Sequence, residues 1–408
     1  MKKIHALDGL RGIAALIVIN EHYLKFFFPL AFADYAIRPE GIDVINNLSF
    51  PPFNLLHNGA FAVCMFFVLS GYVLSIKYFN KNVQGAEITG DIIKRYFRLM
   101  IPVLGSLLVI YLFFNIGLFD SYPSAVSITG STSDYVFKSD PGIVNLFKQG
   151  LWGSLFLASY EYNPPLWTIT TEIYGSILIF LLQLFFLPIN KIKHAFALRV
   201  VVYLLSIAVT HNAILFGFVL GMMLCDVKHN RNINDYLTKS SRFWVPIVLG
   251  VGLVLSAYMI RGLYNNPYQY ITLYEFNEYY EYIYNTWGAF LLLSGILYSK
   301  RLLKYLEIPL LVSIGRISFS MYLLHYIFLM SISAYVFIGL GEQSYLLRVG
   351  LSISTGLIAT IIFSYLFNHY LNKTSIRMSS WIGIIVTSVI KSPKDKLIRM
   401  TDDEIRQA

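Results

Sequence analysis

Stretches of about twenty apolar residues recur along almost the whole chain, and they limit what it can fold into. Crossing a hydrocarbon core of about 30 Å takes about 20 helical residues. Ten segments approach or reach that length: 10–30, 59–79, 99–119, 165–187, 197–210, 212–227, 243–261, 283–299, 311–338 and 346–370. Within lipid the backbone must satisfy its own hydrogen bonds, so each run reads as a helix. The short fifth and sixth, meeting at His211 and Asn212, form a tight helical hairpin or a partly re-entrant pair. The expected fold is all-α: a polytopic membrane protein with about ten transmembrane helices in residues 1–371. Residues 372–408 read as a cytoplasmic tail, in which WIGIIVTSVI is too short to span and forms an interfacial helix before a charged, disordered end. Composition excludes an ordinary soluble domain, because 56% of residues are hydrophobic and only 13% are charged, about half the usual charged share.

The net charge of +9 would suit a nucleic-acid partner if it were gathered on one surface. Instead it follows topology. With the N-terminus inside, 26 of the 32 Lys and Arg residues fall on the inner side and 6 on the outer, which places both termini in the cytoplasm. The Met1-Lys2-Lys3 start is followed by no cleavage site and by an apolar run carrying Glu21 and His22, so the first helix is retained. Cys64 and Cys225 sit singly in apolar segments and form neither a metal set nor a disulfide framework. Two outer loops are sizeable: 120–164, with a short helix expected near 151–158, and 262–282, dense in tyrosine beside Glu275, Glu278 and Glu281. The tyrosines suit an interfacial belt or a stacking platform for a sugar.

Against this background, polar residues at depth carry the information. The first helix runs through LDGLRGIAALIVINEHY, from Leu7 to Tyr23, and places Arg11 and His22 eleven residues apart. That is about three turns and about 16 Å of rise, so both lie on nearly one face with only Ala15 and Val18 between them. A clear path from an arginine at the membrane edge to a histidine near mid-depth suits a long charged molecule lying along the helix. Glu172 lies about 10 Å into the fourth helix from its outer edge, and His325 about 13 Å into the ninth from Arg316. The depths of His22, Glu172 and His325 agree within a turn or two. Isolated charges in lipid are costly, so the three are expected to share one polar cavity. In KRYFR, Arg95 and Arg98 stand side by side at the expected cytoplasmic start of the third helix, where the helix dipole also favours an anion such as phosphate. The same residues have blander roles: a snorkelling Arg11, a structural His22 bonded to a neighbouring helix, and positive-inside anchoring by Arg95 and Arg98.

Taken in order, DGLRGIAAL followed by His22, FFVLSGYVLS (Phe66–Ser75), RYFR (Arg95–Arg98), PLWTITTEIYG (Pro165–Gly175) and ISFSMYLLH (Ile317–His325) resemble acyltransferase family 3. These are integral membrane proteins that O-acylate cell-surface glycans and some small molecules. The resemblance spans Asp8 to about Leu371. It implies ten core helices, a cytoplasmic acyl-CoA donor, an acceptor reached from the outer face, and a requirement for Arg11 with His22 and for Arg95 with Arg98. Some members carry a C-terminal hydrolase-like domain. This chain ends before one and is expected to be a stand-alone, multi-pass protein of the inner (plasma) membrane.

The activity expected on that basis is transfer of an acetyl group from acetyl-CoA to a hydroxyl of a surface polysaccharide or its lipid-linked precursor. Arg11, Arg95 and Arg98 hold the donor's phosphates, His22 acts as general base, and Glu172 fixes its tautomer or stabilises its imidazolium form. Transient acylation of His22 is the rival mechanism. His325, Tyr322, Ser320 and Trp167 are candidates for substrate contact, through carbonyl polarisation or bonds to the acceptor. Gly9, Gly12 and Gly71 read as points of close helix packing. The expected partners are an acyl-CoA donor, a glycan or lipid-linked sugar acceptor and membrane lipids, with no nucleic acid and no metal; oligomeric state is left open. Intramembrane His, Glu and Arg also suit a proton-coupled transporter of a small polar substrate, but no inverted repeat or matched pair of helix breaks is visible. A scaffold in a glycan-assembly complex leaves three ionisable groups at matched depth unexplained.

Overall fold

The computed structural model describes residues 4–29, 53–81, 83–131, 141–211, 214–259 and 278–391. Every regular element among them is helical. The long helices are α1 (His5–Phe27), α2 (Gly59–Asn80), α3 (Gly85–Asn115), α4 (Trp167–Ile189), α5 (Ala195–Thr210), α6 (Phe216–His229), α7 (Arg231–Ser256), α8 (Glu278–Leu297), α9 (Pro309–Phe328), α10 (Tyr345–Phe367) and α11 (Lys373–Ile390). Between α3 and α4, where the sequence suggests one short helix, lie Tyr122–Thr129, Ile143–Lys148, a π-helical turn at Gln149–Gly153 and Ser154–Phe156. The tail beyond Lys391 and most of the tyrosine-dense stretch 262–282 fall outside the described residues.

Among the described residues, five helical stretches are long and apolar enough to cross a membrane: Gly59–Asn80, Gly85–Asn115, Pro164–Ile189, Pro309–Gly339 and Tyr345–Ile390. The expected count of ten rests on the sequence alone. α1 has 23 residues, ample for a span, but its Asp8, Arg11, Glu21 and Lys25 dilute its apolar character. The groups that make it chemically interesting also make it a poor hydrophobic segment.

Local chemistry sets the helix ends. Asn58 caps α2 by accepting from the Phe61 amide at 3.0 Å, and its own amide donates to the carbonyls of Ser256 (2.9 Å) and Tyr258 (3.2 Å) at the end of α7. α3 begins at Gly85, well before the edge at 99 expected from hydropathy. EITGDIIKRYFR is amphipathic rather than apolar and simply continues the helix. Arg95 and Arg98 therefore lie well inside α3, and the dipole contribution expected at a helix start does not apply, because it fades within the first turn.

Packing is closest where glycines face a partner backbone. α1 lies along α9, and a Cβ at Gly12 would stand 2.7 Å from the Leu311 carbonyl oxygen. A Cβ at Gly315 would collide with the Asp8 carbonyl, and one at Gly71 of α2 with the Phe218 carbonyl of α6. Small residues let these backbones touch, the usual device for packing helices in lipid.

α10 runs through a π-helical turn, Asn368–Asn372, into α11, which packs along α3. Pro102 in α3 has no N–H to offer the carbonyl of Arg98. The Ser375 hydroxyl of α11 supplies the missing donor at 3.1 Å. The boundary drawn in the sequence at 371/372 runs through this turn.

Candidate active site

A cavity of about 520 Å³ lies among α1, α2, α3, α4, α9 and the Asn368–Asn372 turn. Arg11, Arg95, Arg98, Arg316 and Lys373 line it against Asp8 and Glu172, an excess of three positive charges. The rest of the wall is largely apolar, with Val63, Phe66, Phe67, Ile169 and Phe319. Three of the arginines have partners within the site. Arg11 Nη1 is 3.4 Å from Asp8 Oδ1. Arg95 pairs with the Glu172 carboxylate and donates from Nε to Ser176 Oγ at 2.8 Å, while Ser70 Oγ donates to the same carboxylate at 2.9 Å. Arg98 pairs with the Asn372 amide oxygen and stands 5.9 Å over the Phe319 ring. Planar guanidinium donors in a half-enclosed, net-positive cavity suit a multiply charged phosphate group.

Tyr322 also lines the cavity. Its hydroxyl donates to the Pro165 carbonyl at 2.9 Å and meets Thr168 Oγ1 at 2.8 Å. Off the cavity wall, 5.9 Å from the Tyr322 ring centroid, is the ring of His325. His325 Nε2 lies 3.1 Å from His22 Nδ1, joining α9 to α1. Each imidazole also sits over its own helix: His22 Nδ1 is 3.0 Å from the Val18 carbonyl and His325 Nδ1 is 3.0 Å from that of Met321. Tyr326 meets His22 edge-on at 5.4 Å. Ala15 and Val18, between Arg11 and His22 on α1, are buried.

A family model described as an acyltransferase domain matches residues 4–369. The chain belongs to acyltransferase family 3. Curated relatives are distant. The acyltransferase clz18 of Cochliobolus lunatus is 27% identical over 140 residues, covering 28% of this chain and 30% of its own length. An acyltransferase of a Phoma species is 23% identical over 238 residues, 45% of this chain and 49% of its own. The O-acetyltransferase PaAT-1 of Phomopsis amygdali is 33% identical over 110 residues, 25% and 21% of the two chains. The chain thus spans at most about half the length of these relatives. No solved structure matches it.

In this member of the family the residues singled out in the sequence fall into two groups. Arg11, Arg95, Arg98, Glu172 and Tyr322 share the cavity, and His22 meets His325 beyond it. Glu172 is not bonded to His22: its carboxylate is engaged by Arg95 and Ser70, a full positive charge being a stronger partner than a neutral ring. Trp167 packs on Tyr282, ring centroids 6.0 Å apart, and is not on the cavity wall, although its neighbour Thr168 is. Ser320 is fully buried off that wall, its hydroxyl without a hydrogen-bond partner among the described residues. Ser70, Asn372 and Lys373 join the site unannounced. Ser70 stands in the FFVLSGYVLS segment, whereas Asn372 and Lys373 lie past the end of the last apolar run, where hydropathy offers no signal. Among the described residues no group of His, Cys, Asp and Glu is placed to hold a metal ion.

Proposed function

We propose that this acyltransferase moves an acetyl group from acetyl-CoA to a hydroxyl of a cell-surface polysaccharide or its lipid-linked precursor, with His22 as general base. The observation that carries the reading is the polarity of the site: a net-positive cavity with an apolar wall, lined also by Tyr322, and a histidine pair beyond it. The donor's phosphates sit among Arg11, Arg95, Arg98, Arg316 and Lys373, and its arm runs along Phe66 and Ile169. For the thioester to reach His22, Tyr322 turns aside. His22 Nε2 takes the proton of the acceptor hydroxyl, the oxygen attacks the thioester carbonyl, the C–O bond forms as C–S breaks, and the proton passes from His22 to the leaving thiolate. The Lys and Arg asymmetry supports a cytoplasmic donor side and an acceptor approaching from outside, in an inner-membrane protein of about ten spans. The Phomopsis relative, an O-acetyltransferase, supports acetyl as the group moved.

The test is ester-linked acetyl on the surface glycan, quantified by NMR, in cells lacking the native gene and supplied with wild type, His22→Ala or Arg98→Ala at matched protein level. Wild type adds acetyl groups, and His22→Ala falls by about 10²-fold or more. Equal acetylation by His22→Ala overturns the assignment.

A further inference from the structure

We infer that His325 is a positioning residue that fixes the tautomer of His22 and shares the positive charge His22 takes up. The inference rests on the general-base reading above and names the partner that reading lacks.

Each imidazole Nδ1 lies 3.0 Å from a helix carbonyl four residues earlier, Val18 for His22 and Met321 for His325. A carbonyl oxygen only accepts, so the proton at each contact belongs to the ring nitrogen. With its proton on Nδ1, neutral His325 presents a lone pair at Nε2. That lone pair faces His22 Nδ1 at 3.1 Å, whose N–H is shared between it and the Val18 carbonyl. The reverse assignment sets lone pairs against carbonyl oxygens at both Nδ1 positions. In the consistent arrangement His22 Nε2 carries its lone pair away from the pair, which is the form a general base must hold before it meets a hydroxyl.

His325 contributes more than Val18 does alone. The Val18 carbonyl already accepts the backbone N–H of residue 22 within α1, whereas His325 Nε2 is an uncommitted nitrogen acceptor. Once His22 is protonated at Nε2, its Nδ1–H bond to His325 becomes charge-assisted and shortens. Carboxylates that usually support a catalytic histidine are engaged elsewhere. Glu172 belongs to Arg95, and Glu21 to Lys25. His325 is fully buried and off the donor cavity wall, so a bond through His22 is its route to the chemistry.

The test compares wild type, His22→Ala, His325→Leu and His325→Gln in cell membranes carrying the native glycan, at matched amounts of folded protein. Acetyl-CoA is the probe, and thiol release and glycan ester acetyl are followed against its concentration. His325→Leu is expected to lower kcat by about 10²-fold while leaving the KM for acetyl-CoA within about twofold, since it is uniform binding that KM alone reports. His325→Gln places an amide oxygen where Nε2 accepts, and is expected to recover at least about tenfold of the loss. Wild-type kcat in His325→Leu, a raised KM with kcat unchanged, or a Gln variant as inactive as the Leu variant overturns the inference. Full activity in His22→Ala instead overturns the general-base reading beneath it.

Discussion

Replacing Gly12 or Gly315 by alanine is expected to lower turnover by parting α1 from α9. α1 and α9 meet backbone to backbone at Gly12 and Gly315, so no side chain there can yield. A Cβ at Gly12 would stand 2.7 Å from the Leu311 carbonyl oxygen, where ordinary contact begins at 3.4 Å, so the helices must part by about 0.7 Å. At Gly315 the added methyl meets the Asp8 carbonyl still more closely, and the required opening is larger. The same two helices carry the His22–His325 bond, about 15 Å further along α9. Parting them by that amount stretches a 3.1 Å bond to about 3.8 Å or beyond, outside hydrogen-bonding range. A misplacement of about 1 Å lowers turnover by about 10²-fold. At Gly12 stability changes less, because an overpacking penalty of about 1–3 kcal/mol is offset by about 1 kcal/mol of improved helix propensity, whereas the closer backbone clash at Gly315 costs more. Acetyl transfer in membranes, read beside the thermal midpoint in detergent, separates the two effects. Gly12→Ala should lose up to about 10²-fold in turnover with a midpoint lower by a few degrees, and Gly315→Ala should lose more of both. Wild-type turnover in Gly315→Ala, or activity lost only in proportion to folded protein, refutes the coupling.

Arg98→Ala removes a charge-assisted contact worth about 1.5–3 kcal/mol and should raise the KM for acetyl-CoA by at least about tenfold in initial-rate measurements. Glu172→Gln takes away the counter-charge of Arg95, raising the excess positive charge of the cavity from three to four. It should lower the KM for acetyl-CoA and leave kcat within about twofold, because no bond links Glu172 to His22. A collapse of kcat would restore the role the sequence suggested for it. Asp226→Asn breaks the bidentate pair with Arg199, whose bonds of 2.7 and 2.9 Å are little exposed, at 12% and 3% for the two side chains. A loss of about 3–5 kcal/mol should appear as a lower midpoint and less folded protein, with activity per folded molecule unchanged.

The first helix was legible because polar residues in an apolar run have few uses, and a spacing of eleven fixes their common face. Depth counting along α1 and α9 brought His22 and His325 to one level, where they meet. Depth says nothing of direction around a helix axis, so it grouped Glu172 with His22 when the carboxylate turns to Arg95. Hydropathy also misplaced the start of α3, because an amphipathic helix entering from the membrane surface looks like a loop to a search for apolar runs. The contribution of Asn372 and Lys373 was hidden for a related reason. A π-helical turn has no compositional signature, and the hydroxyl of Ser375 matters only because Pro102, more than 250 residues away in sequence, leaves a carbonyl free.

The positive residues of the cavity lie apart from the histidine pair, with Tyr322 between them. On the proposed reading, the donor is gripped there by its phosphorylated handle, and the handle is the same before and after the acyl group leaves. Spent and loaded carrier therefore compete for one seat on nearly equal terms. Under the proposed function, turnover then follows the ratio of the two rather than the amount of either, and the extent of acylation becomes a record of metabolic supply.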